Sequence, residues 1–160
     1  MANIITSTFS LKKLAKNVDN IVVDGLNLQA KYLNDDIQNG IDLGEDIYGE
    51  RFKPLSMMRS KQRRQKNLGI KPLDVTGNMR KTRIIKATAS QPVVTIRMIG
   101  TNKKGEVYGA DHNTGKGNLP VRKWFGITKQ MQPGGRLNKK AMGQMRLAIR
   151  KQWRTRFGTR

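Results

Sequence analysis

Six carboxylates, Asp35, Asp36, Asp42, Glu45, Asp46 and Glu50, crowd into one short stretch of the chain. Paired carboxylates can hold Mg²⁺ for phosphodiester cleavage, since a hard cation needs several oxygens converging on one point. Here the D-x-D-x-D-G spacing is absent, and no Lys or His stands at a motif spacing beside the acids. They read instead as a charged surface that meets the basic half of another subunit. His112 is the only histidine, in YGADHNTGKG, where a strand end runs into a Gly-rich loop. A general base needs a nucleophile or an orienting carboxylate, and the near candidate is Asp111. On a strand, successive side chains point to opposite faces, which separates the two. His112 is therefore expected to be structural and bonded to backbone. The GKG loop lacks the G-x-x-x-x-G-K-[ST] pattern of a phosphate loop. With no Cys and one His, thiolate metal sites, disulfides and cysteine or histidine-cluster catalysis are excluded. No enzyme activity, metal or cofactor is expected.

Charge points the other way, to binding. The chain of 160 residues has 32 Lys and Arg against 11 Asp and Glu, a net of 32 − 11 = +21. Residues 1–50 hold 8 of the acids and 4 lysines, a net of 4 − 8 = −4; residues 51–160 hold the other 28 basic residues and 3 acids, a net of 28 − 3 = +25. Such a density of like charge calls for neutralisation by nucleic acid phosphates, an acidic partner, or acidic segments of identical subunits. Two basic patches stand out. Arg59, Lys61, Arg63, Arg64 and Lys66 lie in RSKQRRQKNLGIK (59–71), which reads as a solvated loop or a phosphate-binding patch. From Arg136 to Arg160 there are nine basic residues and no acid, including Lys139, Arg146, Arg150 and Arg154. Aromatics make up 6% and do not interleave with these residues, so base-stacking readout is not expected. Contact with DNA, where it occurs, is expected to be sequence-nonspecific and salt dependent. No run approaches the ~18 apolar residues of a membrane span, and MANIITSTFSLKK lacks the h-region and cleavage site of a signal peptide.

The elements that must position these groups follow from periodicity. The chain reads as one α+β domain, 1–160. Apolar residues from Leu11 to Ile37 recur at three and four, predicting an amphipathic helix within 1–38, capped by Ser10, with Gly25 a point where it could bend and Asn39-Gly40 its end. Residues 39–71 read as loop. Within a sheet core at 72–128, Asp74 or Thr76 caps a short helical turn, and Thr82–Ser90 and Pro92–Ile99 form a β-hairpin. Glu106–Ala110 makes a third strand, and VRKWFGI (121–127) a fourth strand or an aromatic plug on the sheet. A last helix over 136–157 carries Leu137, Ala141, Met145, Ile149, Trp153 and Phe157 on a stripe expected to pack inward.

Four pieces in order carry a resemblance. They are YGERFKPLS (48–56) after the long helix, KPLDVTGNMRKT (71–82), MIGTNKKGEVYGADHNTG (98–115) and LPVRKWFGIT (119–128). The chain resembles the phage virion morphogenesis, or tail completion, proteins of tailed bacteriophages. Their patterns run F-x-P-L-S, P-L-x-x-T-G-x-L-x-x-S, G-T-x-x-x-Y-A-x-x-H-x-x-G and (I/V)-P-A-R-x-F-(L/F)-G. Phe52, Pro54, Leu55, Ser56, Pro72, Leu73, Thr76, Gly77, Gly100, Thr101, Tyr108, His112, Gly115, Pro120, Arg122, Phe125 and Gly126 stand at matching positions, over roughly residues 9–130. Met79, Thr82, Gly109 and Val121 depart from it. The resemblance implies a noncatalytic virion protein of the neck: a small, mostly antiparallel four-stranded sheet backed by helices, assembled as a ring, usually sixfold. The ring would join tail to head, touch connector and tail tube or sheath proteins, and pass genomic DNA through its lumen. It would be made in the host cytoplasm. The rival reading is a nonspecific nucleic-acid-binding protein of ribosomal or nucleoid type, and a metal-dependent nuclease is the distant third.

Overall fold

The computed structural model describes residues 11–73, 78–102, 104–117 and 119–157. Its elements run α1 (Leu11–Leu43), α2 (Met57–Gln65), β1 (Thr82–Ile85), β2 (Thr95–Met98), α3 (Gly109–Thr114) and α4 (Arg136–Phe157). The architecture is α+β, with a long N-terminal helix, a two-stranded antiparallel sheet and a C-terminal helix.

Helix α1 is continuous through both glycines expected to interrupt it. At Gly25 a Cβ would overlap the side chain of Met145, so the glycine is where α4 closes onto α1. Asn39-Gly40 does not end the helix, because Ile37 and Ile41 on successive turns are buried in the core. The stop is Gly44, whose φ of 77° reverses the chain. Gly44 N–H then donates to Ile41 O at 3.1 Å and Glu45 N–H to Gly40 O at 2.7 Å, the paired bonds that satisfy a helix C-terminus. The Ser10 cap lies outside the described residues.

The core is small and gathers around Trp124, which is 1% exposed and packs with Ile37, Ile41, Phe52, Leu73 and Met79. Its indole Nε1 donates to Gly109 O at 3.0 Å. A Cβ on Gly109 would come within 2.7 Å of the indole, so this departure from the motif pattern makes room for the ring. Of the two expectations for 121–127, the aromatic plug is the one formed. Asn113 holds Phe125 by both its N–H and its C=O, at 3.0 Å each, standing in for a neighbouring strand.

The expected third and fourth strands do not form among the described residues. Thr101↔Val107 is an isolated bridge, after which the chain turns into α3, ended by Gly115 in the left-handed region at φ 73°. The hairpin is also shorter than expected. β1 pairs with β2 in the register Thr82↔Met98 to Ile85↔Thr95, and beyond it Ala87 is taken by α1. Asn27 accepts from Ala87 N–H at 2.8 Å and donates to Ala87 O at 3.2 Å, occupying the groups a longer strand would use. Asp74, Thr76 and Gly77 lie outside the described residues.

Helix α4 packs antiparallel on α1 and buries Ala141 completely, but the expected inward stripe fails at its far end. Ile149 is 41% exposed and Trp153 58%. Residues spaced strictly by four advance about 40° per step around a helix of 3.6 residues per turn. From Leu137 to Trp153 the stripe therefore rotates about 160°, off the α1 contact and into solvent. The side chain of Phe157 is outside those described.

Trp124→Ala should destabilise the fold by about 3–5 kcal/mol, the range for emptying a buried aromatic site. Gly25→Val, forced against Met145, should cost about 1–3 kcal/mol as an overpacked contact. Thermal unfolding of both variants checks this; a Gly25→Val protein as stable as wild type would mean that α4 does not close on α1 there.

Candidate interaction surfaces

Three charged surfaces and one buried polar cluster are candidates for function. The acidic surface sits at the C-terminal end of α1 and the loop after it. Asp36, Glu45 and Asp46 line a cavity of about 350 Å³ together with Leu43, Tyr48 and Trp124. Lys129 and Arg136 also reach it. Asp46 closes the turn that follows, its Oδ1 accepting from Tyr48 N–H at 2.8 Å and Glu50 N–H at 2.9 Å. Asp42 is paired with Arg80 of the same chain. Asp35 and Glu50 are exposed. The six acids are thus near one end of the molecule without forming one metal-holding group. No three His, Asp or Glu among the described residues are grouped to hold a metal.

The first basic patch is a helix, not the loop expected. Ser56 caps α2, its Oγ accepting from Arg59 N–H at 3.3 Å, and Met, Arg, Lys and Gln are all good helix formers. Arg63 and Arg64 lie in its last turn, where cations suit the helix dipole. Arg59, Lys61, Arg64 and Lys66 are exposed, beside the exposed Met57 and Met58. Arg63 departs from this solvated set. It is buried and donates to Gly69 O at 3.1 Å and Lys71 O at 2.8 Å, folding the following loop back on the helix.

The second patch is the outer face of α4. Lys139, Arg146, Arg150 and Arg154 are all exposed and share a sector of about 80° at 100° per residue. On the opposite flank, Lys140 places its Nζ 5.0 Å from the Tyr32 ring centroid.

The fourth candidate is the cluster of His112, Asp111 and Arg122. His112 stands on α3, not on a strand, so it and Asp111 diverge by helical rotation and not by strand alternation. Asp111 faces Lys116 at 3.6 Å. His112 carries structure mainly through its backbone, where its C=O accepts from Arg122 N–H at 2.8 Å. Its ring does not make the expected backbone bond at Nδ1, which is buried with no hydrogen-bond partner. Burial first, and then Arg122, hold the imidazole below its ordinary value of 6.5; Asp111 pulls the other way and Arg63 adds to the lowering. Arg122 itself is buried, and its Nε and Nη2 donate to Lys53 O at 3.3 and 3.1 Å. Burial, helped by Arg63, lowers its guanidinium from the ordinary value too. Through these bonds Arg122 clamps the loop at Lys53 and the end of α3 to the 121–127 segment.

The motif residues converge. Phe52 and Leu73 lie in the core, Tyr108 and Phe125 pack against it, and Arg122 ties it to the 53 loop. A Cβ on Gly100 would overlap Asn78 O, so that glycine is a close approach of two backbones. Pro72, Pro120 and Gly126 lie on the irregular segments entering and leaving this core. Sequence reasoning missed the buried clamps Arg63 and Arg122 as such. Arg122 had its motif position as a signal, whereas Arg63 looks like any other member of a basic run. Comparison with protein-family models, curated proteins and solved structures returns no match.

The lowered imidazole has a linkage consequence. Because the folded state disfavours the proton, the unfolded chain binds more protons once the pH falls below 6.5. Stability is full above that value and declines as pH drops from there toward the folded pKa. Melting temperature measured from about pH 7.5 to about pH 5.5 should fall, and His112→Gln should flatten that part of the curve. A wild-type slope retained in His112→Gln would assign the effect to other groups.

Proposed function

We propose that this chain is a structural, noncatalytic subunit of a ring in the neck of a tailed phage, of the tail completion or terminator type, through whose lumen DNA passes. The observation that carries this reading is the convergence of the motif residues on one core. Phe52, Leu73, Tyr108 and Phe125 come from separate stretches of sequence, yet they meet in the cluster of Trp124, and Arg122 ties the 53 loop beside it. In this role the motifs are architecture. The charge distribution supports it as well, since a cluster of acids at one end and a basic helix face along the other suit contacts between copies. Lys139 and Arg146 would then face DNA or an adjoining ring.

The nucleic-acid-binding alternative rests on the net charge of +21 and is separable by assembly. A ring subunit should form a closed oligomer of about six copies, the usual number the resemblance implies, after nuclease treatment. The rival should remain monomeric until nucleic acid is added. Native mass spectrometry and negative-stain microscopy of the nuclease-treated protein decide between them, and a monomer under all conditions would sink the ring. Replacing Lys139 and Arg146 by Gln should leave assembly intact while reducing the salt slope of DNA binding by about 2, near 0.9 for each phosphate no longer neutralised. An unchanged slope would make that face solvated surface only.

A further inference from the structure

Helix α2 is fastened by polar groups, not by apolar burial. Nine residues are too few to make a stable helix in water on their own, and helices in proteins are held mostly by the apolar face they bury. The buried residue of α2 is an arginine. Ser56 caps the helix through Arg59 N–H, Arg63 bonds Gly69 O and Lys71 O, and no apolar side chain of the helix is buried.

Its two apolar residues point the other way. Met57 is 90% exposed and Met58 73%, the two most exposed large apolar side chains among the described residues. At about 100° per residue, Met57, Met58, Lys61, Arg64 and Gln65 share an arc of about 120°, and Arg63 lies on the opposite side of the helix. The clamp on Arg63 therefore fixes the roll of α2 so that both thioethers are held outward.

What this face fits follows from its composition. The helix contains no acid, and Arg59, Lys61, Arg64 and Lys66 are exposed with no ion-pair partner among the described residues. Unpaired cations select an anionic partner, and the methionines narrow its class. A phosphate backbone would engage the cations and leave both thioethers in water. A bilayer would take them, but two methionines at one end of so short a helix bury little apolar area, and membrane binding scales with that area. A protein surface with carboxylates around an apolar pocket uses both, and unbranched, polarizable methionine adapts to such pockets.

We infer that the outer face of α2, with Met57 and Met58 as apolar anchors flanked by Lys61 and Arg64, docks an acidic protein partner that carries an apolar pocket among its carboxylates. The contact asks nothing of a second copy and goes beyond the ring reading without resting on it.

The test uses a labelled helical peptide with Leu on one face and Glu on the rest, beside a control of the same charge in which Ser replaces each Leu. Wild type should bind the Leu/Glu peptide about tenfold more tightly than the control by fluorescence anisotropy. Met57→Ser with Met58→Ser should remove that preference and leave binding to short duplex DNA unaltered. Helicity and melting temperature should stay at wild-type values, because both side chains are exposed. Lys61→Gln with Arg64→Gln should weaken binding of both peptides. Equal affinity for the two peptides, or a preference that survives loss of the methionines, would overturn the inference. So would binding only to DNA, or only to vesicles of equal parts phosphatidylcholine and phosphatidylglycerol. A methionine variant that loses the oligomeric state of wild type would make the face a contact between copies and sink the acidic partner.

Discussion

The fold depends on Trp124 having a backbone carbonyl for its N–H and an empty space for its ring, both supplied by Gly109. A buried indole without a partner for its donor would lose about 1–3 kcal/mol, a large part of what its apolar contacts gain in so small a core. Because Gly109 begins α3, satisfying Trp124 also fixes where the chain leaves the Thr101↔Val107 bridge and turns helical. The neighbouring 121–127 segment then has no strand beside it, and side chains together with the backbone of Ile47 stand in for one. Asn113 brackets Phe125, Arg122 reaches Lys53 O, and Ile47 N–H donates to Lys123 O at 2.9 Å while its C=O accepts from Lys129 N–H at 2.8 Å. The same device recurs on α1, where Asn27 and Gln38 bind Ala87 and Arg80 O from positions on one helix face. Amide and guanidinium side chains thus replace much of the hydrogen bonding that a larger sheet would have provided.

That substitution explains which parts are legible in the sequence. The helices are, because their apolar spacing records the core they bury: α1 is readable along most of its length and α4 nearly residue for residue. Their details are not, since a glycine means different things by context. Gly25 is a contact with Met145 and Gly40 is interior, whereas Gly44 is the terminator, and only tertiary packing of Ile37 and Ile41 distinguishes them. Helix α2 is hidden because it has almost no apolar stripe; its signal is the Ser56 cap followed by good helix formers, masked by a charge run that reads as loop. The strands are overextended for a different reason. β-Branched residues mark a pleated, half-buried surface, but Asn27 ends β1 from outside the strand, and no local pattern contains that fact.

The exposed Trp153 follows from arithmetic the sequence does contain. A stripe at strict four-residue spacing is a ridge that winds around its helix, and a partner lying along α1 can cover it only in part. Its covered portion, with Ala141 buried and Met145 half-buried against Gly25, holds α4 to the molecule, and the remainder points elsewhere. The rotation that carries Ile149 and Trp153 off the α1 contact also brings them alongside Arg150 and Arg154, so apolar and cationic side chains share the last turns of α4. A chain of net charge +21 repels like-charged molecules at long range, and that repulsion is screened within about 8–10 Å at physiological salt. In the ring we propose, contact between copies must therefore be short-ranged, at places where the local signs oppose. Helix α1, continuous from Leu11 to Leu43, fixes the distance between its acid-bearing C-terminal end and the end against which α4 finishes, so each end has to be satisfied by its own neighbours.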